Sequence, residues 1–436
     1  MRLLLVALLV LGACTLVPTS SPPPASPSAS PGTYAVVETA YRAIVERHVE
    51  KPSSKSVLEF ATSELKVAVP GLGAVPRPDD PQYTGNADSD LTTFRSILDR
   101  AVQQGSKTQA EVERIAVTSM AKSLDDCHTY YVDPERAKNY IPREGERYSG
   151  IGATITQPRP NTDRLPEITN VFPNSPAERA GVRAGDRIKK VDDKNVAGLT
   201  AEEVANMIRG PEGTPVELLV VRPSGERPIT ITRASLRVPT VFERTVEDFG
   251  VVGILQLATN VPTELAAALG RLDQAGVRGW ILDLRGNSGG DFNAAVLVAS
   301  TFVKDGVLVY EVGRDGQERP SNLNPKAYFQ HPRPLAVLVN SSSASGAEII
   351  AASIQEHHAG RVFGDTTVGC FSEGQVRELP DGGILLVKIV KLRSGVTRQD
   401  FTRTGITPDE RIVTSPDDET DKVMAAALAW LKTQTR

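Results

Sequence analysis

The stretch VLVNSSSASGAEII, residues 337–350, decides the fold of the carboxyl-terminal half of this chain. An apolar run ends in a turn of small residues before a helical pattern begins, which predicts a strand, a tight turn and a helix. A side chain in such a turn is exposed, and the amides at the helix amino terminus favour negative charge beside it. Because serine is also a common helix N-cap, the turn predicts either a nucleophile or a structural cap.

Strand and helix patterns alternate around this turn from residue 240 to the end. Strands are predicted at 251–257, 280–284, 335–340 and 384–392, and helices at 263–274, 293–302, 347–355 and 418–433. Loops at the carboxyl ends of the strands of such a sheet usually form its sites. The loop RGNSGG, residues 285–290, follows one strand, so we expect its amides to face the serine turn.

The preceding residues fall into two regions. Apolar periodicity predicts helices at 34–49, 56–69, 95–104 and 110–124, and thus a helical region over 34–140. Residues 148–236 instead combine short strands with glycine turns, and their SPA, AGV and AGDRI motifs (175–188) resemble a PDZ domain of bacterial proteases. That resemblance implies capture of a polypeptide carboxyl terminus by the amides of Gly150, Ile151 and Gly152. The alternative is that these residues only form a turn and that the domain binds no peptide.

The amino terminus has the pattern of a targeting segment. A short apolar run leads to Leu-Gly-Ala-Cys, residues 11–14, which resembles a bacterial lipobox with Cys14 as the lipidated residue. Residues 15–33 contain six proline and five serine residues and no charge, which is typical of a solvated tether. An ordinary signal peptide or an uncleaved anchor is the alternative. The pattern predicts a lipid-anchored, extracytoplasmic protein of the bacterial cell envelope.

Composition excludes several classes of function. The 436 residues carry 49 Lys and Arg against 53 Asp and Glu, so no basic excess favours nucleic acid. Three cysteines exclude a disulfide-dense scaffold. No cluster has metal-ligand spacing and no P-loop lysine is present, so we expect no metal and no cofactor. The expected partners are polypeptides, bound through their carboxyl termini, and a membrane through the lipid anchor only; the oligomeric state stays open.

Three further motifs accompany the serine turn and the PDZ pattern. They are DLRGNSGG (283–290), SLDDCHT (123–129) and TGITPD (404–409). Together they resemble the carboxyl-terminal processing proteases, the S41 serine peptidases. The resemblance implies a multidomain α/β chain: a signal peptide (1–13), a lipidated cysteine with its tether (14–33), the helical region (34–140), a PDZ domain of strands with two helices (141–236) and an α/β peptidase core (237–436).

The resemblance also implies the site residues. The family nucleophile lies three residues before the glutamate that here is Glu348, which indicates Ser345. The amide of Gly346 then matches one donor of the oxyanion hole, and that of Gly289 or Gly290 matches the second.

The catalytic base departs from the common family pattern. Many members use a lysine about 25 residues after the serine, but Cys370 occupies that position, and Lys388 and Lys391 are out of register. Tricorn-like relatives instead use a histidine in an Asp-x-His-Thr motif, which His128 matches. Histidine is a good base at neutral pH. His128 is therefore the expected general base, with a structural histidine as the alternative.

The acid that would orient His128 is undetermined. Asp400, Glu373 and Asp126 are the candidates, and a triad depends on orientation more than on sequence order.

If Cys14 is lipidated, two cysteines remain: Cys127 lies beside the histidine, and Cys370 lies at the family's lysine position. We therefore expect them to form a disulfide, with two buried free thiols as the alternative.

These features favour a serine endopeptidase that is guided by its PDZ domain and works through an acyl-enzyme. The alternative is a catalytically inactive S41 relative that binds and recruits peptides as a lipoprotein. A cysteine nucleophile is less favoured, because the turn before the helix contains Ser345 and no cysteine.

Overall fold

The computed structural model describes residues 34–72, 82–137, 147–156, 165–172, 174–199, 201–237, 240–415, 418 and 420–435. Within them, none of the helices is both long and apolar enough to cross a membrane. The predicted fold class is confirmed: amino-terminal helices, a middle segment of strands with two helices and an α/β core. The predicted signal peptide, Cys14 and the tether lie outside the described residues.

Four amphipathic helices form the amino-terminal region. They are α1 (Ala35–Arg47), α2 (Ser54–Ala68), α3 (Ala87–Gln103) and α4 (Gln109–Lys122). Their apolar faces meet in one buried cluster. Helix α3 begins earlier than predicted because the Asn86 side chain caps it, accepting from the amides of Asp88 and Ser89 at 3.1 Å.

The last described residues of the predicted helical region contain a strand. After α4 the chain forms a short strand, β1 (Tyr130–Val132), and one helical turn, α5 (Pro134–Ala137). Strand β1 pairs with a strand far along the chain and so belongs to a sheet of the core. The segment between α4 and β1 contains His128, so this pairing carries the histidine to the core.

The next segment forms a small sheet with its own core. Its elements are β2 (Arg147–Gly150), β3 (Ala153–Thr156), β4 (Glu167–Val171), α6 (Pro176–Arg179), β5 (Arg187–Val191), β6 (Lys194–Asn195), α7 (Ala201–Ile208), β7 (Pro215–Arg222), β8 (Gly225–Thr232) and β9 (Ala234–Arg237). The main sheet has the order β3-β4-β5-β7-β8, which leaves β3 at an edge. Helix α7 packs against β3.

From residue 240 onwards the described residues form four α-helices and two sheets, one of which also contains β1. Their elements are β10 (Val241–Val246), β11 (Phe249–Ile254), α8 (Val261–Gln274), β12 (Gly279–Asp283), α9 (Phe292–Phe302), β13 (Val307–Val312), β14 (Glu318–Asn322), β15 (Leu335–Val339), α10 (Gly346–Glu356), β16 (Arg361–Gly364), β17 (Ser372–Glu378), β18 (Ile384–Ser394), β19 (Glu410–Arg411) and α11 (Lys422–Gln434).

The first of these sheets has the order β10-β11-β12-β15-β16-β19. Its strands from β11 onwards run parallel. Side chains of α8, α9 and α10 pack in one buried cluster, and α11 packs in a separate one against alternate residues of the strands. Because β11, β12 and β15 are parallel neighbours, the loops that follow them meet at one edge.

The second sheet brings the histidine segment to that edge. Strand β18 pairs with β1, β13 and β17, and β13 also pairs with β14. The amino-terminal helices pack against this sheet through Leu379, Leu385 and Val387. The sequence did not predict β13, β14 and β17. Exposed polar residues dominate β14 and most of β17, so their apolar alternation is weak.

Candidate active site

Ser345 occupies the sharp turn between β15 and α10. Its backbone has φ 53° and ψ −118°, and a non-glycine residue adopts such a conformation at a cost of about 1–3 kcal/mol. The neighbouring Ser343 is buried and donates to the carbonyl of Leu284 at 2.8 Å, so its hydroxyl is structural. Of these two serines, Ser345 has the strained geometry of a nucleophile elbow.

The buried carboxylate of Glu348 holds this turn in place. It accepts hydrogen bonds from the amides of Ser345 at 2.9 Å, Gly369 at 2.7 Å and Cys370 at 2.8 Å. It also accepts one from the Thr367 hydroxyl. Burial raises the pKa of Glu348, while these hydrogen bonds act in the opposite direction. One side chain thus joins the serine turn to residues 367–370.

The glycine loop after β12 lies against Ser345. A Cβ added to Gly289 would lie 2.7 Å from the Cβ of Ser345, so only glycine allows this approach. The amide of Gly289 donates to Oδ1 of Asn287 at 2.7 Å, which removes it as an oxyanion donor. Within the described residues, the amides of Gly290 and Gly346 donate no such bond. These two are therefore the candidate donors that remain.

His128 lies across from the serine. Its Nε2 is 3.3 Å from Oγ of Ser345, a separation that can tighten when substrate binds. The main-chain amide of His128 donates to Oδ1 of Asp126 at 2.9 Å, and Oδ2 of Asp126 pairs with Nε2 of buried His48 at 2.9 Å. Buried His48 thus supports the segment of His128 through Asp126.

The surroundings keep the imidazole of His128 neutral. Burial lowers its pKa to about 4; the carboxylate of Asp126 raises this pKa and the ammonium of Lys388 lowers it. Although burial disfavours its charged form, the pKa of Asp126 is itself lowered, chiefly by the hydrogen bond from His48. At neutral pH His128 is therefore an unprotonated base beside an ionised carboxylate.

None of the three predicted carboxylates contacts the ring of His128. Asp126 binds its main chain, and Asp400 accepts from the amide of Thr402 at 2.8 Å. Glu373 is partly buried with no partner for Oε1 within the described residues, and burial beside Glu311 raises its pKa to about 7. Its strand neighbour Ser372 contacts the ring instead.

The hydroxyl of Ser372 lies 2.8 Å from Nδ1 of His128. Successive residues of a strand point to opposite faces, so the placement of Ser372 at the ring turns Glu373 away from it. Sequence reasoning missed Ser372 because it looked for an acid. No local signal in the sequence marks Ser372, because it begins a strand of weak apolar alternation and reaches His128 only through strand pairing.

A disulfide joins Cys127 and Cys370, the pair expected from the sequence, with Cα atoms 5.9 Å apart. The Sγ atoms of both cysteines lie 3.4 Å from Nδ1 of His128. These three residues bring metal-ligating atoms within 4.8 Å of one another, but cysteine binds metal as a thiolate and here both sulfurs are bonded together. The bond ties the histidine segment to residues 367–370.

The lysines near the site have other partners. Lys388 is buried, and its Nζ lies 3.1 Å from Oε1 of Glu50. Lys391 pairs with Glu50 as well, at 2.5 Å. The ammonium of Lys388 thus forms an ion pair with a carboxylate. The main-chain amide of Lys388 donates to the hydroxyl of Thr129, the residue after His128. Neither lysine takes the position that Cys370 occupies.

The candidate carboxylate-binding loop joins β2 to β3. The carbonyl of Ile151 accepts from the amide of Ala177 at 2.8 Å, and that of Gly152 accepts from the amide of Phe172 at 2.9 Å. Gly152 has φ 83°, and a Cβ there would lie 2.4 Å from the Cβ of Ser175. Gly150 pairs with Ala234 at the end of β2. The loop is therefore anchored at the start of the edge strand.

Comparisons with known proteins agree with this arrangement. Residues 248–412 match peptidase family S41, and residues 167–222 match the PDZ domain family. The chain is 30% identical over 347 residues to a carboxyl-terminal-processing protease of Picosynechococcus, across 77% of this chain and 82% of the relative. It is 31% identical over 303 residues to a probable CtpA-like serine protease of Staphylococcus haemolyticus, across 69% of this chain and 60% of the relative.

A solved structure has the same fold. The photosystem II D1 C-terminal processing protease superposes with a TM-score of 0.61 at 22% identity, covering 94% of this chain and 98% of that one. The likeness thus extends over the helices, the PDZ domain and the α/β core.

Proposed function

Because the chain belongs to peptidase family S41, whose members are serine-type hydrolases, we propose that it is a serine endopeptidase of the carboxyl-terminal processing type. Ser345 is the nucleophile and His128 is the general base. The observation that carries this assignment is the separation of 3.3 Å between Oγ of Ser345 and Nε2 of His128. A nucleophile and a base within hydrogen-bond reach are what acyl transfer needs.

The reaction follows from these two groups. Nε2 of His128 takes the hydroxyl proton while Oγ of Ser345 forms a bond to the scissile carbonyl carbon, and the carbonyl oxygen becomes an oxyanion. The imidazolium then gives the proton to the leaving nitrogen as the carbon–nitrogen bond breaks, which leaves an acyl-enzyme. A water molecule, deprotonated by the same histidine, attacks the ester and restores Ser345.

The oxyanion would lie at the amino terminus of α10. The amides of Gly346 and Gly290 are its donors in this proposal, because the amide of Gly289 is already used by Asn287. Fixed amides at a helix amino terminus stabilise charge that develops in the transition state without reorganising. Removal of one such donor typically costs about 10²–10³ in kcat.

The PDZ domain would present the substrate. Strand β3 is an edge strand of its sheet and α7 packs against it, so an extended peptide could add to β3 as a further strand. The loop from Gly150 to Gly152 lies at the start of that strand, where it would receive the terminal carboxylate. The substrates in this proposal are polypeptides with a free carboxyl terminus.

The cellular location is proposed from the sequence and the disulfide together. Cys14 in its lipobox-like context provides a site for a lipid anchor, and residues 15–33 provide the tether. Disulfides persist mainly in oxidising compartments, which agrees with a disulfide between Cys127 and Cys370. The proposal is a lipid-anchored enzyme of the bacterial envelope that acts on extracytoplasmic polypeptides.

Peptidase activity tests the proposal. A soluble form beginning at residue 34 would be incubated with an unfolded protein, with EDTA present, beside Ser345→Ala and His128→Ala. We expect cleavage by the wild type and loss of about 10²-fold or more in either variant. Cleavage that survives His128→Ala but not Ser345→Ala would give the base role to another group. If a folded wild type does not cleave while it binds peptides, the peptidase proposal is wrong.

A further inference from the structure

We propose that Ser372 is the positioning residue of this site and completes a Ser345–His128–Ser372 relay in which a hydroxyl stands where serine peptidases commonly place a carboxylate. The inference rests on the proposed function and deepens it. It assigns to Ser372 the task of holding the imidazole in the productive tautomer, without supplying a compensating charge.

The sheet fixes the distance between these side chains. His128 lies just before β1, and Ser372 is the first residue of β17. Both strands pair with β18, so the hydrogen-bonded ladder sets their separation. The hydroxyl of Ser372 is 2.8 Å from Nδ1, and the residue is only 2% exposed. A buried hydroxyl on a paired strand is a rigid partner for the ring.

The disulfide favours the productive tautomer. Its sulfurs lie 3.4 Å from Nδ1 and carry no hydrogen, so they can only accept a hydrogen bond. The hydroxyl of Ser372 can donate or accept, so it can also accept from Nδ1 beside the two sulfurs. A proton on Nδ1 satisfies them, which leaves the lone pair of Nε2 facing Ser345. His128 can take the proton of Ser345 only in this form.

The charged groups around the ring are few. On its own segment Asp126 binds the main chain of His128, and Lys388 of β18 is paired with Glu50 and acts on the ring only through its charge. The two charges act on the imidazolium in opposite directions. Within the described residues no carboxylate is hydrogen-bonded to Nδ1, since Ser372 takes that place. Orientation is therefore provided by a neutral group, and charge only by the more remote Asp126.

Three variants separate positioning from packing. Ser372→Ala removes the acceptor, Ser372→Thr keeps a hydroxyl, and Ser372→Asp places a carboxylate at Nδ1. We expect Ser372→Ala to lower kcat about 10-fold or more with little change in KM, and Ser372→Thr to recover most of that loss. Gln375→Ala, an exposed residue of the same strand, is the matched control and should keep the wild-type kcat.

The pH profile gives a readout that a structural role would not move. An opposite charge within hydrogen-bond reach raises a histidine pKa by about 1–3 units. In Ser372→Asp the acid limb of kcat/KM should therefore shift upward by about 1–3 pH units. An acid limb that stays in place, or a Ser372→Ala enzyme with wild-type kcat, would overturn the proposal.

A second measurement keeps this test separate from the peptidase proposal. The ring nitrogens of His128 can be titrated by NMR in a Ser345→Ala background, which requires no turnover. We expect the Nδ1–H tautomer at neutral pH, and a raised pKa when Ser372→Asp is added. If the Nε2–H tautomer dominates, or if Ser372→Asp leaves the pKa unchanged, the relay is wrong even where peptidase activity is intact. If both results appear without cleavage, only the peptidase proposal fails.

Discussion

The carboxylate of Glu348 accepts a hydrogen bond from the main-chain amide of Ser345 at 2.9 Å. The same buried side chain binds the amides of Gly369 and Cys370 and the hydroxyl of Thr367. Cys370 is bonded to Cys127, the neighbour of His128. A continuous path of hydrogen bonds and one covalent bond therefore links the strained turn of Ser345 to the segment of His128.

The variant Glu348→Gln should weaken this link. A glutamine amide has one oxygen, so some of the four donors now aimed at the carboxylate would face an NH₂ group instead. Each buried unsatisfied group costs about 1–3 kcal/mol, so the free energy of unfolding should fall by at least that amount, with a loss of activity. Denaturant unfolding measures the first and peptide cleavage the second. Glu46→Gln, on the exposed side of α1, is the control. Equal stability of Glu348→Gln and wild type would refute the role of this carboxylate.

Reduction of the disulfide should loosen the base from the nucleophile. A disulfide that closes a long loop typically contributes about 2–4 kcal/mol, so the double variant Cys127→Ser with Cys370→Ser should unfold at a lower temperature and cleave more slowly. Calorimetry and cleavage rates give the two values, and alkylation with mass analysis verifies the thiol state. Reductant should slow the wild type but not the double variant. Full activity in a verified dithiol form would show that the bond is dispensable.

Activity of the wild type should persist well below neutral pH. Because burial lowers the pKa of His128 to about 4, the neutral base remains available as the pH falls and is lost only when protonation begins near that value. We therefore expect the acid limb of kcat/KM near pH 4 rather than near 6.5. Circular dichroism at each pH separates this limb from unfolding. A limb near pH 6.5 in the folded protein would contradict the environment described for His128.

Much of this site could be predicted from the sequence. The turn around Ser345, the glycine loop and the motif of His128 are local patterns, and parallel strand order brings their loops together. Ser372 could not be found in this way, because its contact with His128 depends on the pairing of β1 and β17 with β18. These pairings span large sequence separations, and β1 is too short to show periodicity.

The same limit explains the misplaced acids. Asp400 and Glu373 are carboxylates of suitable chemistry, yet a local turn holds Asp400 and strand alternation turns Glu373 away from the ring. The choice between Gly289 and Gly290 likewise depended on the side chain of Asn287, which takes the amide of Gly289. Residue patterns were enough to predict the fold class. The hydrogen-bond partner of each polar atom could be identified only from the three-dimensional structure.

Capture of a carboxyl terminus predicts a dependence on the free carboxylate. A substrate peptide with an amidated carboxyl terminus should bind the loop from Gly150 to Gly152 more weakly, because a charge-assisted hydrogen bond contributes about 1.5–3 kcal/mol. We expect KM to rise about 10-fold or more, with kcat little changed. Matched peptides that differ only at the terminus provide the measurement. Equal kcat/KM for both peptides would show that cleavage does not depend on capture of the terminal carboxylate by the PDZ domain.

The most direct measurement is covalent labelling of the nucleophile. The folded soluble protein would be treated with a fluorophosphonate, and the modified peptide would be identified by mass spectrometry in the wild type and in His128→Gln. The account predicts one label per chain, on Ser345, in the wild type, and labelling slowed by about 10²-fold or more in the variant. A wild type that takes no label at Ser345, or a variant labelled at the same rate, would contradict a nucleophile activated by His128.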